Sequence, residues 1–311
     1  MPSIASKPTK PSINPGIWLL TLMLALVMTQ FSHATITDQS VHEVAENLYS
    51  FSTNGEYISL FAVTDEGVMV FETMNSHHAK AMVKAIKTVT DQPIKYAFHS
   101  HNHWDHASGG QVFVDEGATT IAHQEATNWM KANPYGDMVI AKESWAGNRK
   151  DIELGGTLVE LHYLGMNHGL GMTVFVLPQT KVAYIADIVT PNRVIFSIVP
   201  DFNIKEWERS LAEVLELDFE TAVFSHHEGD LPLAGGKKQD IKLQAEFIRD
   251  LRAGFYAELK KGTHPMMVPK VLKLPKYKHW VGYDDWLEMN IWRILADEFM
   301  GPFPWRAEPS N

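Results

Sequence analysis

His101-Asn102-His103-Trp104-Asp105-His106 sets four potential metal ligands within six residues, and the rest of the chain can be placed around it. Just upstream, Ile94-Lys95-Tyr96-Ala97-Phe98 is short, apolar and β-prone, so the run begins where a buried strand ends. Gly109-Gly110 follows on the other side. The ligands therefore sit on a loop at a sheet edge. Alternate residues of an extended segment share a face, so His101 and His103 can point at one ion. Asp105 and His106, past a turn, can point at a second ion nearby. Imidazole and carboxylate together suit divalent transition metals.

Outward from this run, the chain reads as strands and helices in alternation. Val44 to Val70 alternates apolar and polar residues around turn residues at Asn54-Gly55 and Asp65-Glu66-Gly67, which predicts strands joined by tight turns. Apolar spacing near 3.6 predicts a helix from His78 to Val89. Thr119 to Ala122 reads as a strand and His123 to Ala132 as a helix. The second half repeats the grammar. Strands are expected at Leu158–Leu164, Met172–Leu177, Val182–Ala186 and Ala222–Phe224, and helices at Ile204–Leu215, Gln239–Leu259 and Trp280–Met300. Pro134 to Trp145 reads as an irregular segment. Two halves, each strands then helix, predict an α/β fold in which two sheets pack face to face with helices outside.

Three further ligand types stand behind predicted strands. Gly165-Met166-Asn167-His168-Gly169 carries a histidine, and Tyr184-Ile185-Ala186-Asp187 closes an apolar strand on an aspartate. Such an aspartate is costly unless paired or bound to a cation. Val223-Phe224-Ser225-His226-His227-Glu228-Gly229 ends a strand on two adjacent histidines, and neighbouring side chains on extended backbone diverge, so one of the two is expected to bind. His77, His123, His162, His264 and His279 lack ligand spacing and read as surface or packing residues. His99 could stand behind the site and donate to a ligand carboxylate.

With these motifs in this order, the sequence resembles the metallo-β-lactamase superfamily, whose signature is His-x-His-x-Asp-His. The resemblance covers nearly all of the chain beyond its N-terminus. It implies a four-layer αβ/βα sandwich with two mixed sheets. It also implies two divalent metal ions, with Zn2+ the expected ion, although these ligands also accept manganese, iron or cobalt. The implied ligands are His101, His103, Asp105, His106, His168, Asp187 and His227, with Asp187 bridging. His227 is favoured over His226 by the following Glu-Gly. The implied activity is hydrolysis by a metal-bridged hydroxide, with Asp105 and Asp187 as catalytic residues that orient it and move a proton. β-Lactamases of this family carry Cys or Ser where this chain has Asp187, so an ester, thioester or lactone bond is expected first. β-Lactam hydrolysis and an iron-dependent persulfide or oxygen oxidoreductase are the alternatives. The flavodiiron branch has Glu where this chain has His103, which argues against that one.

Composition narrows the rest. The 311 residues are 45% hydrophobic, enough for a large core, and the net charge of −10 argues against a nucleic-acid partner. A small-molecule substrate is expected instead. No cysteine is present, so neither a thiolate ligand nor a disulfide is available. Lys7 and Lys10 precede the apolar run Ile17–Met28, and Ser32-His33-Ala34 offers a small-x-small site. This predicts a secretory signal over residues 1–34, cleaved after Ala34, and a periplasmic or secreted protein with no stable membrane insertion after cleavage. The run is shorter than the roughly 20 residues of a spanning helix. Residues 35–311 are expected to form one domain, with 263–311 as an aromatic-rich helical extension. Its Tyr277, Trp280, Tyr283, Trp286, Trp292 and Trp305 suit a substrate wall or a face packed on the core. The i, i+3 spacing of Trp286 with Met289 and of Trp292 with Leu295 favours the core face. Exposed aromatics there are compatible with a homodimer as well as a monomer.

Overall fold

The computed structural model describes residues 40–53, 55–226 and 233–301. The expected signal segment, His227 and Trp305 lie outside these residues. Two mixed sheets carry the fold. The first has seven strands in sequential order: β1 (Ser40–Ala45), β2 (Leu48–Ser52), β3 (Ile58–Thr64), β4 (Gly67–Phe71), β5 (Ile94–Phe98), β6 (Thr119–His123) and β7 (Glu143–Trp145). Strands β1 to β4 form an antiparallel meander, and β4 to β7 run parallel. The second sheet has the order β12-β11-β10-β9-β8, from β8 (Arg149–Leu154), β9 (Thr157–Tyr163), β10 (Thr173–Leu177), β11 (Val182–Ile185) and β12 (Thr221–Phe224). Only its β11–β12 pair is parallel.

The sheets meet because strand side chains alternate between faces. On β4, Met69 and Phe71 join the core between the sheets, while Val68 and Val70 join a second cluster with Ala79, Met82 and Ile86 of helix α1 (Ser76–Val89). A strand buried on both faces reads as a continuous apolar run, as Gly67-Val68-Met69-Val70-Phe71 does. Across the inter-sheet core, the Phe175 ring centroid lies 5.5 Å from those of both Phe71 and Phe98. Between β5 and β6 lie two short helices, α2 (Trp104–Ala107) and α3 (Gly110–Asp115), and α4 (Gln124–Ala132) follows β6. Helices α5 (Ile204–Glu216) and α6 (Lys238–Lys260) add Trp207, Leu211, Ile241 and Phe247 to the core of the second sheet. The short α7 (Val268–Val271) and the long α8 (Tyr283–Met300) close the described chain. Tyr277, Trp280 and Tyr283 are buried in that core, and Trp286 and Trp292 pack against it.

Three strands depart from the sequence expectation: β1, β7 and β8. Each is an edge strand, and β8 (Arg-Lys-Asp-Ile-Glu-Leu) is mostly charged. Charged edges discourage pairing with other chains but erase the apolar alternation that marks a strand. The segment expected to be irregular up to Trp145 therefore ends in β7, paired in parallel with β6. Among the described residues no helix is long and apolar enough to cross a membrane.

Candidate metal centre

The side chains of the site leave the ends of strands, the loops after them and the short helix α2. β5 ends at Phe98, and His101 follows on the loop, fully buried. His103 ends that loop as the N-cap residue of α2, whose first turn carries Asp105 and His106. Asn102 is buried and ties this loop to the next one, its Oδ1 accepting from Leu170 N at 2.6 Å. His168 sits in that next loop, between β9 and β10. The fully buried Asn167 anchors it, accepting from His168 N at 2.6 Å and donating to Ser210 Oγ of α5 at 2.9 Å. Gly169 is needed beside it. Its φ is +73°, and a Cβ there would stand 2.8 Å from Asn102 Oδ1 and 2.9 Å from His101 Cδ2.

β11 and β12 run side by side in register to Ile185 and Phe224, so Asp187 and Ser225-His226 emerge together. Ser225 Oγ donates to Asp187 Oδ1 at 2.8 Å and accepts from Asp187 N at 3.1 Å. Asp187 has φ +40°, left-handed backbone that non-glycine residues adopt only when their surroundings impose it.

Among the described residues, donor atoms converge in three overlapping sets, each within 4.8 Å: His101, His103, His168 and Asp187; Asp105, His106 and His226; and Glu72, His101 and His106. Asp187 stands between the first two. Its Oδ2 lies 3.2 Å from His168 Nε2 and 3.4 Å from His101 Nε2, and its Oδ1 lies 3.2 Å from both His106 Nε2 and His226 Nε2. Among the described residues His226 is brought to the cluster, with Ser225 in the place where the family pattern has glycine. The expectation favoured His227, which lies outside the described residues.

Glu72 was not found from the sequence. It follows β4 with φ +77° and is fully buried. Its Oε2 lies 3.1 Å from His106 Nδ1, and it accepts a short hydrogen bond from Ser100 Oγ, which in turn lies 2.8 Å from His101 Nδ1. One carboxylate thus orients two candidate ligands, turning the Nε2 atom of each toward Asp187. Its only sequence signal is an acidic residue ending the run Gly67–Phe71. Asp201 plays the matching part for His103, 2.7 Å from its Nε2. His99 does not donate to a ligand carboxylate. Its Nδ1 lies 3.1 Å from Thr73 Oγ1, which donates to the His106 carbonyl at 2.9 Å. Of the remaining histidines, His77 and His279 are exposed, while His123 and His162 have partners away from the cluster. His123 stacks on Tyr163 at 3.9 Å, and His162 lies 3.0 Å from Glu160.

The electrostatics ask for a cation. Burial pushes the His101 imidazole down to about 3, so it is neutral at physiological pH and its lone pair is available. Its Nε2 atom is buried with no hydrogen-bond partner. Burial would lower His106 as well, but Asp187, Asp105 and Glu72 outweigh it and hold that imidazole well above the usual range. Burial would raise Asp187, and His106 and His226 hold it well below the usual carboxylate range. An unpartnered neutral imidazole among buried carboxylates fits a bound divalent metal.

The cluster forms the floor of a cavity of about 630 Å³. Tyr57, Trp129, Leu170 and Trp207 line its sides, and segment 193–201 forms one whole wall. The Asp105 carboxylate is half exposed, with the Tyr57 hydroxyl 3.4 Å from it.

Residues 55–226, more than half of the chain, match the metallo-beta-lactamase superfamily. The protein belongs to that superfamily, whose fold it has. It is similar to the 2,4-dinitroanisole O-demethylase subunit alpha of Nocardioides sp. (strain JS1661), with 27% identity over 176 residues, covering 56% of this chain and 53% of that one. It is also similar in structure to the stereoselective inverting sec-alkylsulfatase Pisa1 from Pseudomonas sp. (TM-score 0.68, 16% identity), covering 85% of this chain and 50% of that one. The metallo-beta-lactamase from Pontibacter korlensis follows (TM-score 0.58, 17% identity), with 68% of this chain and all of that one covered. The chain thus spans about half the length of the first two. The structural likenesses show the fold. The superfamily consists mostly of metal-dependent hydrolases, and the His/Asp cluster suits a divalent metal.

Proposed function

We propose that this protein is a two-metal hydrolase acting on an ester, thioester or lactone bond. The observation that carries the reading is Asp187, whose two oxygens face two separate histidine sets. His101, His103 and His168 would hold one ion, and Asp105, His106 and His226 the other, with Asp187 shared and Zn2+ the expected metal. Bound there, the metals would supply Lewis acidity and lower the pKa of water from 15.7 toward ~7.

The chain's own groups do the rest. Glu72 and Asp201 fix the rings of His106 and His103, so the donor atoms converge without reorganisation. Asp105, half exposed at the cavity floor, is placed to orient an attacking water and carry its proton toward a leaving group. Burial and then Asp105 raise the Tyr57 hydroxyl, which keeps its proton at neutral pH and can donate to a substrate oxygen. The apolar walls exclude water from the bond being cleaved.

A second reading is cleavage of an aryl methyl ether. It is supported by the likeness to the 2,4-dinitroanisole O-demethylase subunit and by the apolar cavity wall. The deciding experiment measures metal content and turnover on esters, thioesters, lactones and 2,4-dinitroanisole, before and after chelation. Hydrolysis that survives complete metal removal rejects the proposal. The apolar run at 17–28 and Ser32-His33-Ala34 support export. An exported protein whose N-terminal sequence does not begin at Thr35 would reject that cleavage site.

A further inference from the structure

Segment 193–201 lines the cavity along its whole length, and it is held in an unfavourable conformation. Ser197 has φ +52° and Val199 φ +34°, the latter an outlier for a β-branched residue. Phe196 is 55% and Ile198 45% exposed, although a large core lies beneath them. Ile195 and Val199 of the same segment are buried in the core, so the exposed pair is turned the other way.

Helix α8 holds the segment in this conformation. Asn290 is fully buried, and its Nδ2 donates to the carbonyls of Ile195 at 2.8 Å and Ser197 at 2.7 Å. Arg293 donates to the Phe202 carbonyl at 3.0 Å, fixing the far end. Val281 and Val194 tie down the near end through backbone hydrogen bonds. The Phe196 ring is braced edge-on by Trp286 at 4.8 Å, with the Arg193 guanidinium 5.9 Å from its centroid. An exposed aromatic is thus immobilised beside the metal centre. The fold spends backbone strain and apolar exposure to present a rigid greasy surface, and such strain persists where it serves a site.

We infer that segment 193–201 is a preset specificity wall, and that the substrate bears an apolar body, an aryl group or an alkyl chain of several carbons, seated against Phe196 and Ile198 while its reacting group meets the His/Asp cluster. This rests on the hydrolase reading of the same site. The cavity's ~630 Å³ suits one small molecule of that kind. Asn290 acts through the segment it holds and is a positioning residue.

The test uses the metal-loaded protein and calorimetric binding of acetate, butyrate, hexanoate and octanoate, which needs no turnover. Affinity is expected to rise about fourfold per buried methylene. Phe196→Ala and Ile198→Ala, both at exposed positions, should each weaken octanoate about tenfold and leave acetate within about twofold. Asn290→Leu, which has no donor for either carbonyl, should flatten the series in the same way. On esters the protein cleaves, the two alanine variants should raise KM more for long acyl chains than for short ones. Affinity independent of chain length, or selectivity unchanged in both alanine variants, overturns the inference. So does a Phe196→Ala variant whose only change is its oligomeric state by size-exclusion chromatography, since the surface would then face a second copy of the chain. Length-dependent binding without any hydrolysis would reject the hydrolase reading and keep the wall. Hydrolysis with flat binding would do the reverse.

Discussion

Oδ1 of Asp187 lies 3.2 Å from Nε2 of His226, and the same oxygen lies 3.2 Å from Nε2 of His106. The adjacent histidines at 226 and 227 should therefore behave differently on substitution. His226→Ala is expected to lose metal and at least about 100-fold in activity, more than the ~10–100-fold typical of residues that only orient a ligand. His227→Ala should stay within a few-fold of wild type. Elemental analysis with turnover decides it, and the opposite ranking would make His227 the ligand in place of His226.

Glu72 touches no substrate in this arrangement, yet it orients His106 directly and His101 through Ser100. Glu72→Gln keeps the shape and removes the charge. Metal affinity is expected to fall roughly 10–100-fold while the fold persists. Competition with a graded chelator measures the affinity, and far-ultraviolet circular dichroism checks the fold. An unchanged chelator midpoint counts against this role.

Gly169 and Gly117 form a matched pair for testing close packing at the centre. Both have positive φ, +73° and +93°, but a Cβ at 117 would meet nothing within 4 Å. Gly117→Ala should cost only backbone strain, about 1–2 kcal/mol. Gly169→Ala adds overlap with Asn102 and His101, a further ~1–3 kcal/mol, and should displace metal as well. Thermal unfolding of both variants, with metal content, separates the two effects. Equal costs would show that the crowding at Gly169 is relieved by small shifts.

His78 predicts the acid limb of stability. Its ring is buried on α1, 2.9 Å from Ser59 Oγ, and burial pushes it down to about 3. Between that value and the ordinary ~6.5, the unfolded chain binds a proton that the folded chain refuses, so stability falls as pH falls through this window. The slope reaches about 1.4 kcal/mol per pH unit. Urea unfolding from pH 7 to pH 5 should cost the wild type about 2 kcal/mol more than it costs His78→Asn. Parallel pH profiles would remove His78 from this account.

Much of the protein was legible before folding. The run His101–His106, with His168 and Asp187 behind predicted strands, points to a candidate metal centre because ligand spacing on extended backbone is a local property, and the structure brings His101, His103, His168 and Asp187 together. The interior strands were legible too, since burial on one or both faces writes itself into hydrophobic pattern, as in β4 and β5. The edge strands β1, β7 and β8 were not, because an edge bonded on one side can be charged.

What the sequence determined by itself is the inventory of donors and their family. Tertiary structure alone chose among them. His226 stands beside Asp187 because the parallel register of β11 and β12 sets Asp187 and Ser225 together. Glu72 and Asp201 became orienting carboxylates because distant segments, 34 and 98 residues from their histidines, meet at the strand ends. The aromatic tail, legible as a helix, acquired a task at the cavity only through Asn290 reaching Ile195 and Ser197. The physical reason is common to all three. Local pattern fixes which way a side chain points within its own element, whereas its partner is set by how elements pack, and no short-range periodicity encodes that.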